Sequence, residues 1–130
     1  MENNWRNKTL ENLEKDKWPD INEKTSRLVA RCHELRKIPV GDLTVEDLRL
    51  MIGQQIGLSY LVPLAIEKLK EDILSEGDYY PGDLLKSVLN IEIDFWKENK
   101  PLWGMIDSIV ELNKQEIEEA SISIELFKSV

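Results

Sequence analysis

Histidine and cysteine occur once each in these 130 residues, as His33 and Cys32. One cysteine excludes an intrachain disulfide and suits a reducing compartment. One histidine with one cysteine also excludes the usual zinc ligand sets and a di-metal bundle built on paired Glu-x-x-His. Adjacent positions on a helix point about 100° apart, so Cys32 and His33 are poorly placed as a nucleophile and its base. Cys32 reads as a small buried hydrophobe and His33 as a surface or boundary residue. The longest apolar run, Leu61–Ile66, is about a third of a membrane span. The N-terminus, beginning Met1-Glu2-Asn3-Asn4-Trp5-Arg6, lacks the apolar segment of a secretory signal. Gly/Ser linkers, repeats and low-complexity tracts are absent too. The expectation is one cytoplasmic domain over residues 1–130, with no membrane contact.

Negative charge is in excess, and unevenly. Residues 1–37 hold nine Lys/Arg against seven Asp/Glu, whereas residues 38–130 hold eight against eighteen, within a net charge of −8. Phosphate binding rests on clustered Lys and Arg, so a nucleic-acid partner is disfavoured. A basic protein would be attracted instead. Apolar residues at 42% and charged residues at 32% exclude a disordered chain.

Apolar spacing and helix caps predict an all-α bundle of six or seven helices without a substantial sheet. Thr9 caps a short first helix that stops before Trp18-Pro19. A second helix spans about Thr25–Lys37, with Leu28, Val29, Cys32 and Leu35 as its apolar stripe. Thr44 caps a third, with Glu46 and Asp47 in its first turn and Leu48, Met51, Ile52 and Ile56 inward. Gly53 within it suggests a neighbouring backbone in close approach, and Gly57 a C-terminal stop. The fourth helix covers Ser59–Asp72, with Pro63 in its first turn. Pro81 opens a fifth, carrying Leu84, Leu85, Val88 and Leu89. Asp94 caps a short turn through Glu98. Pro101 opens a longer helix with Leu102, Met105, Ile106, Ile109, Val110 and Leu112. In the tail, Ile122–Leu126 alternates like a strand while Ile117, Ala120 and Ile124 fit a helix. Helix is the reading, since nothing else in the chain would pair with a strand.

Reactive constellations do not emerge. Gly53-x-x-x-Gly57 lacks the lysine and preceding strand of a phosphate loop. Glu67, Glu71, Glu118 and Glu119 have the spacing of solvated helix faces. No catalytic residue, cofactor site or metal site is expected. Tyr60, Trp96 and Trp103 read as core aromatics. Tyr79 and Tyr80 lie between Asp78 and Asp83, which disfavours base stacking and suits contact with Lys and Arg of a protein partner.

Arg31-Cys32-His33-Glu34-Leu35-Arg36-Lys37, then Pro39, Leu43 to Ala65 and Gly77 to Leu85, resemble the immunity proteins of bacterial contact-dependent growth inhibition systems. A weaker likeness extends to Phe95-Trp96-Lys97, so the resemblance covers about residues 10–100. The resemblance implies a small, non-enzymatic cytoplasmic protein that binds the toxic C-terminal domain of a cognate secreted effector, often a nuclease. The matching positions are scaffold, so it transfers no contact residue. On charge and aromatic content, the expected toxin-facing residues are Asp78, Tyr79, Tyr80 and Asp83, followed by Glu71, Asp72 and Glu76. Occlusion of a basic substrate groove in a 1:1 complex is the expected mechanism. The rivals are an acidic helical adaptor for another protein and a carboxylate-based hydrolase or transferase.

Overall fold

The computed structural model describes residues 3–130. Nine α-helices and no strand occur among them: α1 (Leu10–Glu14), α2 (Arg27–Leu35), α3 (Val45–Gly53), α4 (Leu58–Glu71), α5 (Asp83–Leu89), α6 (Ile93–Glu98), α7 (Lys100–Leu112), α8 (Lys114–Glu119) and α9 (Glu125–Lys128). Short 3₁₀ turns cover Trp5–Asn7 and Val40–Asp42. The all-α class is as expected. The count is higher because the tail, neither one helix nor a strand, breaks into α8 and α9, with Ser121 in the left-handed region at φ 59°.

The best-defined helix start is that of α3. The Thr44 side chain accepts the Asp47 N–H at 3.1 Å, while the Asp47 carboxylate accepts the Thr44 N–H at 3.0 Å, a reciprocal capping box. Leu48, Met51 and Ile52 then point inward against α5 and α4. Helix α4 runs through the core on Leu61, Val62, Leu64, Ala65, Ile66 and Leu69 and packs on α3, α5 and α7. Leu84, Leu85, Val88 and Leu89 of α5 complete the interior, joined from α6, α7, α8 and α9 by Trp96, Ile106, Ile109, Val110, Ile117 and Phe127. The tail docks through Phe127, which stacks on Trp103 at 5.2 Å and meets Trp96 edge-on at 5.5 Å.

Several local expectations are corrected. Helix α3 ends at Gly53, with Gln55 at φ 59°, so Gly57 is not its stop. Gly57 sits instead at the N-cap of α4 at φ +63°, and a Cβ there would lie 2.8 Å from Leu10 Cδ1. No backbone approaches Gly53; the nearest atom to a Cβ there would be Ser87 Oγ at 3.5 Å. Pro63 is the sixth residue of α4, beyond the first turn. The hydrogen bond it forfeits is the one to Ser59, an exposed residue in the first turn whose carbonyl lies near the helix end. Pro81 lies outside α5, which starts after Gly82, and Asp94 is inside α6 without capping it.

Helix α2 departs most from its pattern. Leu28 and Val29 are 41% and 48% exposed, and the buried face is Cys32, His33, Leu35 and Arg36. The segment after α1 folds back over α2. His33 Nε2 lies 3.1 Å from the Pro19 carbonyl, where the ring N–H donates. Arg36 donates to Glu14 and to the Asp16 carbonyl and lies over the Trp18 ring at 4.5 Å. His33 is therefore buried, against expectation. Cys32 is buried as expected, and burial pushes its thiol pKa up.

Candidate functional site

The connection from α4 to α5 is built by its own polar side chains. Asp72 ends α4 and its carboxylate accepts the Leu74 N–H at 2.9 Å. The Ser75 hydroxyl reaches back to the carbonyls of Lys68 and Asp72, at 3.1 and 2.6 Å. The Gly82 N–H donates to the Leu74 carbonyl at 3.1 Å and closes the loop.

Beneath the loop lies Asp83, only 3% exposed. Its carboxylate accepts the N–H groups of Gly77 at 2.7 Å, Tyr79 at 3.1 Å and, more weakly, Tyr80 at 3.5 Å. A second carboxylate, Glu46 on α3, accepts the Asp78 N–H at 2.9 Å. Arg49, one turn along α3, forks onto Glu46 through Nε and Nη2, each at 2.6 Å. Gly77 fits because a Cβ there would fall 2.5 Å from Glu46 Oε1 and 3.2 Å from its Cα. Two carboxylates from two helices thus pin four backbone positions, leaving the loop little freedom.

That frame presents Tyr79 and Tyr80. Tyr79 is 70% exposed with the Arg49 guanidinium 4.6 Å from its ring centroid. Tyr80 is 40% exposed with Lys86 Nζ at 5.8 Å. Cation–π contacts of this kind contribute about 0.5–1 kcal/mol at exposed sites and fix the outward pose of each ring. Behind the rings is a hollow of about 400 Å³, lined by Arg49, Gln55, Tyr79, Tyr80, Lys86 and Ser87 among others.

The Arg49 fork holds the Glu46 carboxyl below its usual range near 4.5, and the Asp78 N–H acts in the same direction; burial opposes both. A depressed folded pKa contributes stability above the unfolded pKa and loses it as pH falls through the folded value. Glu46→Gln is therefore expected to lower stability by about 1.5 kcal/mol at pH 7. The gap from wild type should narrow as pH falls below the unfolded carboxyl's range and close as it passes the folded value, as urea midpoints at a series of pH values would show.

Among the residues expected to face a partner, Asp78, Tyr79 and Tyr80 lie together on the loop surface. Glu71 and Asp72 are exposed where that connection begins, and Glu76 is exposed within it. Asp83 is different: it lies under the loop with its oxygens occupied by loop N–H groups. Sequence reasoning missed Glu46, Arg49 and Lys86 as parts of the site. Their only local signal was the Glu46–Arg49 spacing of one helical turn.

Glu71 closes α4 and Asp72 caps it, at the negative end of the helix dipole. The dipole disfavours carboxylates there by about 0.3–1 kcal/mol each. No helix among the described residues is long and apolar enough to cross a membrane, and no His/Cys/Asp/Glu cluster among them could hold a metal ion.

The family model of CDI (contact-dependent growth inhibition) immunity proteins matches residues 12–106. The chain belongs to that family. No curated protein and no solved structure matches it. The matched span runs from α1 into α7 and contains the whole α4–α5 loop with its supports on α3. CDI immunity proteins neutralise a cognate toxin by binding it, and the family is in general non-enzymatic. The last part of α7 with α8 and α9 lies beyond the match, although Phe127 brings the tail into the core.

Proposed function

We propose that this chain binds the toxic domain of its cognate effector one-to-one and blocks a basic, nucleic-acid-binding groove on it with the α4–α5 face. The toxin is then a nuclease, and the chain itself binds no nucleic acid and performs no reaction. The observation that carries this reading is the pinned loop, with Tyr79 and Tyr80 held outward and exposed Glu76 and Asp78 beside them. Tyrosine is prominent among residues that dominate interface energies, and a preorganised loop forfeits little entropy on binding. Glu71, Glu76 and Asp78 enter no ion pair among the described residues, which leaves their charge to a partner. Carboxylates positioned where phosphates would lie both steer the encounter and deny the groove to its substrate.

Glu76→Lys with Asp78→Lys tests this directly. Association with the cognate toxin domain is expected to slow about tenfold at low ionic strength. The deficit should shrink toward nothing near 0.5 M salt, where screening acts over about 4 Å. Stopped-flow association at several salt concentrations gives the answer; rates equal to wild type throughout would contradict steering by this face.

A further inference from the structure

A cation lies beside the exposed tyrosines of this acidic face. Arg49 is committed to Glu46, whereas Lys86 on α5 enters no ion pair among the described residues. It is exposed, with its ammonium 5.8 Å from the Tyr80 ring centroid. Lys86, Tyr80 and Asn90 line both the hollow behind the tyrosines and a second one of about 410 Å³, walled by residues 120–123 and Leu126. The cation therefore stands on a ridge between two concave surfaces.

The surroundings are rich in donors. Gln55 uses its side-chain oxygen to accept the Glu92 N–H at 3.2 Å, which leaves its amide N–H₂ group available. Ser87 and Ser121 bring hydroxyls that make no hydrogen bond among the described residues, and Asp83, the carboxylate in the lining, is occupied by the loop N–H groups. A carboxylate accepts hydrogen bonds and donates none, so this setting suits one better than an ammonium or guanidinium.

Resting on the reading of this face as the toxin-binding one, we infer that Lys86 receives an aspartate or glutamate side chain of the toxin, seated beside Tyr80. The acidic surround attracts cationic toxins in general. Lys86 accepts only one that places a carboxylate at a single point, because a basic group there meets repulsion. Lys86 is thus a specificity-determining residue, and its contribution appears in how long the complex lasts.

The test measures association and dissociation rates of the full chain with the same toxin domain. Lys86→Met removes the charge and keeps most of the stem; it is expected to speed dissociation at least tenfold with association changed less than threefold. Lys86→Arg is expected to stay within threefold of wild type, since it keeps the cation. Thermal unfolding of each variant verifies an intact fold, as an exposed side chain allows. Dissociation of Lys86→Met at the wild-type rate, with Glu76→Lys and Asp78→Lys still slowing association, overturns the Lys86 assignment and leaves the face in place. If neither set of changes alters binding, the face itself is wrong and the assignment falls with it.

Discussion

Asp83→Ala is expected to lower stability by about 3 kcal/mol and to weaken toxin binding at least a hundredfold, although Asp83 touches no partner. Its carboxylate is the acceptor for the N–H groups of Gly77, Tyr79 and Tyr80. A hydrogen bond to a charged group contributes about 1.5–3 kcal/mol, and donors left unsatisfied in a buried setting add their own penalty. The three bonds act as one unit and the Tyr80 bond is long, so the total falls well short of their sum. Without the carboxylate the loop samples many conformations, and ordering it again on the toxin costs affinity. Asp83→Asn fills the same volume and keeps one oxygen, so it should lie between wild type and alanine. Hydrogen exchange supplies the local readout: the Gly77, Tyr79 and Tyr80 amides should lose protection in Asp83→Ala while those of Leu64–Leu69 in α4 keep theirs relative to global stability.

The second large effect is expected at Arg36, on the other side of the molecule. Its side chain is 1% exposed. One Nη donates to Glu14, the other to the Asp16 carbonyl, and Trp18 lies against the guanidinium. Removing one partner of a buried ion pair costs about 3–5 kcal/mol. Glu14 is partly open to water and can rehydrate, which places Arg36→Ala near 3 kcal/mol. Arg36→Lys recovers little, because a single ammonium cannot hold two acceptors and stack on an indole as the planar fork does. Urea unfolding gives the magnitude. Faster hydrogen exchange confined to residues 14–20 at moderate denaturant would show that Arg36 fastens this segment to α2.

These two residues also mark how far the sequence could be read. The Thr44 cap was legible because a cap is local: a hydroxyl accepts an N–H three residues on, and Asp47 returns the bond. The stripes of α4 and α5 were legible because both helices are covered on one broad apolar side. Helix α2 misled because spacing tells which residues share a face but not which face is covered. Residues after α1 return over His33 and Arg36, and Leu28 and Val29 are left outward. Nothing within a helical turn of Arg36 announces that Glu14 and Asp16 will meet it. At the candidate site, aromatics flanked by acids in a loop pointed to Tyr79 and Tyr80, which the structure leaves exposed. The supports of that loop were hidden, since Glu46 meets Asp78 across 32 positions of sequence. Asp83, expected to face a partner, is buried beneath the loop, where its carboxylate accepts the loop N–H groups. Proline and glycine were over-read: Pro81 lies just outside α5, and Gly57 is the N-cap of α4 with Leu10 packed against it.

The central claim is that this chain neutralises a toxin by binding it and does so through the α4–α5 face. Co-expression with the toxic C-terminal domain of the cognate effector measures it most directly, with growth and complex formation scored together. The wild-type chain should restore growth and co-purify with the toxin one-to-one, whereas Tyr79→Ala with Tyr80→Ala, stable and folded, should do neither. Growth restored equally by wild type and by that variant would contradict the assigned face, and a toxin that kills regardless of the wild-type chain would contradict neutralisation itself.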